Sequence, residues 1–253
     1  MEEKIVNVIY ILWSRQLKRY LRSKSRIIGS LGQPVLFLIA LGFGFGPIYQ
    51  KAGQGNYIQF LAPGIISMSI LFTSIFSGIE IIWDRQFGFL KETLVAPVFR
   101  AEIMIGRTLG GATVSSAQGI IVLLISMLVG FRPQGVVQVF FALIVMILTA
   151  ILFTALGTAI ASLLDDMQGF QLIMNFLIML LFFLSGALFP LKGLPTFLVI
   201  VTSIDPLSYG VDGLRSTLTG TSHFGLPMDI FLLGTGVVIL LGVGSYLFSK
   251  IQV

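Results

Sequence analysis

The chain has 253 residues, of which 56% are hydrophobic and 11% charged, with a formal net charge of +5 and a mean hydropathy of +0.98. That is more apolar surface than a soluble domain of this length could bury, so the composition excludes an ordinary globular domain and describes an integral membrane protein. There is no cysteine, which removes disulfides, thiolate nucleophiles and most zinc sites.

Residues 1–26 form a charged segment without a small-residue cleavage pattern behind the first apolar run, so no signal peptide is expected and the N-terminus should be retained. Within it, Ile5, Ile9, Leu12, Trp13, Leu17, Tyr20 and Leu21 recur at helical spacing, with Arg15, Lys18, Arg19 and Arg22 on the other side. This pattern predicts an amphipathic helix lying in the plane of the membrane at its cytoplasmic interface. A simple positively charged anchor is the alternative.

Crossing about 30 Å of hydrocarbon takes roughly 20 helical residues. The charge-free runs Ile27–Gln50, Tyr57–Ile79, Thr108–Phe131, Pro133–Leu164, Met167–Leu191 and Ile230–Ser249 are each long enough, so the expected fold is all-α with six transmembrane helices. A barrel would alternate polar and apolar residues, and runs such as IIVLLISMLV do not. The first span carries Gly29, Gly32, Gly42, Gly44 and Gly46, as if for close helix packing; Gly106 with Gly110, and Ala155 with Ala159, suggest packing within the subunit rather than between copies.

Between the second and third spans, seven Lys, Arg, Asp and Glu residues gather from Asp84 to Arg107. A helix is expected over Arg85–Val95, with Phe87, Leu90 and Leu94 on one face, stopped at Ala96 and Pro97, and a second helix from about Ala101 into the third span. The result would be a knob offering Phe87, Phe89 and Leu90 beside charges, as protein docking requires; lying flat on the headgroups is the other possibility. The loop at Asp165 and Asp166 reads as a solvated turn or a contact to a basic partner, not a metal site, since no His or third carboxylate is near.

The apolar run Leu194–Ile204 has 11 residues, too few to cross. Asp205 and Pro206 then form an N-cap followed by proline at the first helical position, and Leu207, Val211, Leu214 and Leu218 recur opposite Asp212 and Arg215. Two short helices, dipping into or lying on the outer leaflet within residues 190–228, are expected. Lys and Arg number seven in residues 1–26, four in 84–107 and one at Lys250, against single residues Lys51, Arg132, Lys192 and Arg215 in the alternate loops. This asymmetry places both termini and the 84–107 segment in the cytoplasm. The basic residues form no nucleic-acid-reading module.

WDRQFGFLKETLVAPVFR, LDDMQGFQLIMNFL, FFLSGALFPLKGLP and DPLSYGVDGLR, in that order, together resemble the membrane subunit of type-2 ATP-binding-cassette (ABC) exporters, in the branch with daunorubicin-resistance and nodulation-factor permeases. The resemblance runs from the amphipathic helix to the last span; Phe99 stands where such sequences often have Ser, and Asp205 where Asn is common. It implies one transmembrane domain over residues 1–253 in the cytoplasmic membrane, with Asp84, Arg85, Phe87, Phe89, Leu90, Lys91, Glu92 and Pro97 in a coupling helix that docks on a separate ATPase. It also implies an extracellular gate at Pro190, Asp205, Pro206 and Tyr209. The sequence has no phosphate-binding P-loop, so ATP and Mg would belong to two ATPase subunits beneath two permease copies, this chain twice or with a relative.

Ser67, Ser69, Thr73, Ser74, Ser77, Asn175 and Ser185, with nearby Met and Phe, suggest an uncharged pathway for a hydrophobic drug, lipid or lipid-linked glycan. The main rival is an ion-coupled secondary transporter, whose sign would be an ionisable residue within a span; Glu80 is the only candidate and is expected to snorkel or to pair with Arg85. An intramembrane enzyme is disfavoured because His223 and Ser222 are merely adjacent and no carboxylate orients them. A passive channel would not require the charged knob.

Overall fold

The computed structural model describes residues 2–53, 55–90, 98–191, 193 and 195–251. It is all-helical, with no strand among the described residues. The helices are α1 (Glu2–Arg22), α2 (Lys24–Lys51), α3 (Tyr57–Ser77), α4 (Ile79–Gln86), α5 (Arg100–Val129), α6 (Val136–Leu163), α7 (Met167–Leu184), α8 (Thr196–Ile204), α9 (Pro206–Thr219) and α10 (Leu226–Ser249). Six segments are long and apolar enough to cross a membrane, with α3 and α4 acting as one span from Tyr57 to Gln86. The fifth ends at Leu184 rather than Leu191, because Ser185 caps it and Gly186 turns the chain at φ +72°.

Helix α3 is the axis of the fold. It is apolar on all sides, as a helix surrounded by others must be, and Leu61, Ile65, Ile66, Ser67 and Leu71 are fully buried. At its lower end the backbone of Gly78 lies against Gly157 of α6, and a Cβ added at Gly157 would sit 2.5 Å from the carbonyl oxygen of Ile75. The two glycines therefore set how closely these spans cross.

The GxxxG pair on α5 receives α1. A Cβ on Gly106 would approach Leu12 Cβ at 3.1 Å, and one on Gly110 would meet Gln16 Cβ at 2.7 Å. Ala155 and Ala159 of α6 likewise seat Gly244 of α10. Both motifs serve packing within the subunit, as expected. The glycines of α2 differ: only Gly42 has a close neighbour, Ile58 Cγ1 at 3.1 Å, and Gly29, Gly32, Gly44 and Gly46 have nothing within 4 Å. In this chain α2 instead leaves Ile28, Leu36, Phe43 and Ile48 exposed.

The arrangement of α1 departs from the expected amphipathic pattern. Trp13 and Tyr20 do turn inward, donating to Thr113 at 3.0 Å and Gln118 at 2.7 Å, but Leu21 is exposed, and Arg15 and Arg19, though partly in solvent, reach across to the buried carboxylates of Asp84 and Glu80. The side chain of Ile5 lies outside the described residues. Helices α8 and α9 meet at 90°. Asp205 caps α9 by accepting from Leu207 N at 2.8 Å, with Pro206 in the first turn, as the sequence predicts. The supposed polar face of α9 is not solvated, however; Asp212 and Arg215 are as buried as Leu207, Val211, Leu214 and Leu218.

Candidate functional site

Both described ends of the chain and the segment after the second span meet at one end of the bundle, the charged end. Arg100 donates to the carbonyls of Ser249 and Ile251 at 2.5 and 2.9 Å, tying the start of α5 to the end of α10. Asp84, in the last turn of α4, is 2% exposed and accepts from Arg107 of α5 at 2.6 Å and from Arg15 of α1 at 3.5 Å. Four residues earlier, Glu80 pairs with Arg19 at 3.1 Å. The i, i+4 spacing of Arg15 and Arg19 on α1 thus matches that of Glu80 and Asp84 on α4, so α1 is bolted to the end of the second span at two successive turns.

The expected Glu80–Arg85 pair does not form. Arg85 points the other way, to the Asp165 carboxylate and to the carbonyls of Leu164 and Ser162 at 3.3 and 3.2 Å, while Gln86 donates to the Asp165 carbonyl at 3.2 Å. Asp165 therefore finds its basic partner within the chain, and Asp166 caps α7 through Gly169 N at 2.6 Å. Adjacent residues on a helix end face roughly 100° apart, which lets Asp84 hold α1 and α5 while Arg85 holds the α6–α7 loop.

Beyond Gln86 the helix expected over Arg85–Val95 is interrupted. Phe87 closes the last turn of α4, donating to Trp83 O at 2.9 Å, and Gly88 takes φ +80°, a conformation open to glycine at little cost. Phe89 and Leu90 begin a new helical turn. The break sorts the three candidate docking residues: Phe87 is 70% exposed and Phe89 49%, but Leu90 is fully buried and belongs to the core. Asp84 and Leu90 are thus structural supports beneath the surface, not part of it. Lys91, Glu92, Leu94, Ala96 and Pro97 lie outside the described residues.

The candidate pathway residues separate as well. Ser67 and Ser185 are buried and donate to the carbonyls of Pro63 and Phe182 at 3.0 and 2.8 Å, and Ser69 and Ser74 are buried in the same helix. Such hydroxyls are satisfied or enclosed within the bundle. Asn175 is exposed on the outer face of α7 between Leu172 and Met179. Thr73 and Ser77 line a cavity of about 440 Å³ between α1, α2 and α3 that also involves Phe72, Phe76, Gln33 and Trp83.

At the opposite end, Tyr209 donates to Ser203 O at 2.6 Å and packs at a tilt against the Phe224 ring, bracing the α8–α9 corner. Asp205 caps that corner, Pro206 begins α9, and Pro190 lies exposed at the rim of a second cavity of about 520 Å³. The chain after α9 is wound about Asp212, whose carboxylate accepts from Ser222 Oγ, His223 N and Phe224 N, each at 2.8 Å. Ser222 and His223 are therefore held by their backbone and hydroxyl as a loop anchor, not as a nucleophile and base.

The burial of two charges, Asp229 and Arg215, is not legible in the sequence. Asp229 is fully buried in the first turn of α10, and neither carboxylate oxygen has a partner among the described residues. Delimiting the sixth span by charge-free sequence starts it at Ile230; the proline at 227 after Gly225 is the available signal that the helix begins earlier. Arg215 is likewise 8% exposed, with its guanidinium 4.1 Å from the Phe60 ring centre.

Residues 7–219 match the family described as ABC-2 type transporter. The chain is 29% identical over 262 residues to the putative transport permease ycf38 of Cyanophora paradoxa, an alignment covering 97% of this chain and 89% of that protein. Nodulation protein J of Rhizobium leguminosarum bv. viciae is 26% identical over 232 residues, covering 91% of this chain and 86% of its own length. The inner membrane transport permease YadH of Escherichia coli is 27% identical over 242 residues, with 93% and 90% covered. The extent of these matches, with six apolar spans in the order the sequence predicts, means that this chain belongs to the ABC-2 type transporter family as a non-catalytic membrane subunit of an ABC transporter.

Proposed function

We propose that the chain is the transmembrane half of an ATP-driven exporter, coupled through Phe87 and Phe89 to a separate ATPase in the cytoplasm. The single observation that carries this reading is an exposed aromatic pair, Phe87 and Phe89, set on either side of the glycine break at Gly88 on a segment braced to three neighbours. Arg107 and Arg15 hold Asp84, and Asp165 holds Arg85. A force applied at Phe87 would reach α1, α5 and the α6–α7 loop together, as a lever requires. Lys91, Glu92 and Pro97 complete the coupling segment in this proposal, and both termini share its cytoplasmic side of the plasma membrane.

Two such subunits, identical or related, would stand above two ATPase subunits carrying ATP and Mg. Exposed apolar residues on α2 and α7, including Phe43, Phe45, Leu172 and Phe176, supply faces for the second copy, and Asn175 would be sheltered from lipid there. The cavity at Thr73 and Ser77, mostly apolar with a few hydroxyl and amide groups and the Glu80 carboxylate at one edge, suits a hydrophobic or amphiphilic cargo moved by alternating access. The bent α8–α9 pair, with Pro190, Asp205, Pro206 and Tyr209, serves as an extracellular re-entrant gate.

The test is reconstitution with an ABC ATPase subunit from the same organism. Phe87→Asp places a charge on a 70% exposed side chain, so folding should survive while the docked aromatic is lost; truncating a docking hot spot costs at least about 2 kcal/mol, or roughly thirtyfold in affinity. Copurification and cargo-stimulated ATPase should both fall. Unchanged coupling in Phe87→Asp would sink the assignment. An ion-coupled reading retains one favourable observation, the unpartnered buried carboxylate of Asp229; transport that collapses with a protonophore in ATP-replete vesicles would favour it.

A further inference from the structure

We infer that the cavity at the end of the bundle opposite the Asp84–Arg107 cluster binds an anionic group, a phosphate or carboxylate, through Arg132 and Arg215. The cavity of about 520 Å³ is lined by Tyr49, Asn56, Arg132, Asp212, Arg215 and Thr221, among others. Its walls carry guanidinium, amide and hydroxyl groups where the cavity near Thr73 is mostly apolar, which suits a polar headgroup.

Arg215 carries the inference. Its side chain is 8% exposed, and both of its hydrogen bonds leave from Nη2, to Gly186 O at 3.1 Å and Phe60 O at 3.4 Å. Its Nε has no partner, and no bond from Nη1 occurs among the described residues. A guanidinium removed from water with donors unused is costly unless an anion completes its shell. The one carboxylate in the cavity is already committed, since Asp212 accepts from Ser222 Oγ, His223 N and Phe224 N. Arg132 adds a second guanidinium on a fixed backbone. With its amide in the orientation that satisfies both groups, Gln59 accepts from Arg132 N at 2.8 Å and donates to Arg132 O at 3.2 Å, and the Arg132 side chain, which lines the cavity, has no hydrogen bond among the described residues. Two planar guanidinium groups facing one polar chamber match the oxygens of phosphate or carboxylate.

As the site where a cargo's anionic end is held before release, this rests on the exporter reading; the binding itself does not, and it is measured without the ATPase. The purified chain in nanodiscs of neutral lipid is titrated with short-chain phosphatidylglycerol, phosphatidylcholine of equal chain length, and inorganic phosphate. Phosphatidylglycerol should bind about tenfold more tightly than phosphatidylcholine, Arg132→Gln should lose about that factor, and Arg132→Lys should recover most of it. Because only the backbone of Arg132 is held, Arg132→Gln should fold normally even if Arg215→Gln does not. Inorganic phosphate binding with the same dependence on Arg132 would also support an anion site, one that needs no acyl chain. Equal affinity for the two lipids, undiminished binding in Arg132→Gln, or an equal loss in Arg22→Gln at the far end of the molecule would overturn it.

Discussion

The buried pair of Asp84 and Arg107 should dominate the stability of the charged end, and its replacement gives a two-sided test. Arg107 is 9% exposed and donates to Asp84 at 2.6 Å, while its Nε has no other partner. Asp84→Ala would leave that guanidinium in the bundle without its counter-charge, at a cost of about 3–5 kcal/mol. Arg15, whose side chain is 44% exposed, would return to water, and its share is only about 0–1 kcal/mol. For a chain of this length the sum corresponds to a fall in midpoint temperature on the order of 10 °C, read as loss of the monodisperse peak after heating in detergent. The double substitution Asp84→Leu with Arg107→Met removes both charges and should restore most of the loss, because well-packed apolar residues can replace a buried ion pair at little cost. If Asp84→Ala melted with the parent, or the double variant melted no higher than the worse single, the pair would not be what holds α4 to α5.

Three further outcomes follow from the same geometry. Leu90→Asp should behave opposite to Phe87→Asp, lowering thermal stability by several kcal/mol before any effect on ATPase docking, since it puts a charge at a fully buried site; the comparison is read by the same heating assay. Gly157→Ala should reduce the yield of folded protein severely, because the new Cβ would lie 2.5 Å from Ile75 O and both atoms belong to rigid spans; near-normal yield would show that the spans slide apart freely. Asp229→Asn keeps the shape but removes a carboxyl with no hydrogen-bond partner among the described residues, so stability in the heating assay should hold or rise, and a marked fall would reveal a partner essential to it.

Sequence showed the spans, the caps and the location of the charged segment because each depends on local rules: length against bilayer thickness, proline and Asp205 at a helix start, and hydroxyl or glycine spacing within one helix. What it could not show were the partners that tertiary contacts choose. Arg15 and Arg19 read as the wet face of an amphipathic helix, since helical spacing alone cannot tell a headgroup from a buried carboxylate; both side chains keep about two-fifths of their surface exposed, at 44% and 37%, while reaching Asp84 and Glu80. Likewise Leu90 falls on the same helical stripe as Phe87 only if the helix is continuous, and a single glycine at φ +80° separates the two into core and surface. The charge-rich stretch after the second span thus has a double character. Asp84 and Arg85 turn inward to bind α1, α5 and the α6–α7 loop, while Phe87 and Phe89 turn outward. Polar groups holding the base and apolar groups making the contact are the reverse of an ordinary surface loop, and that inversion is what a rigid docking element requires: charges in an enclosed network resist rotation, whereas exposed aromatic rings gain most from being covered.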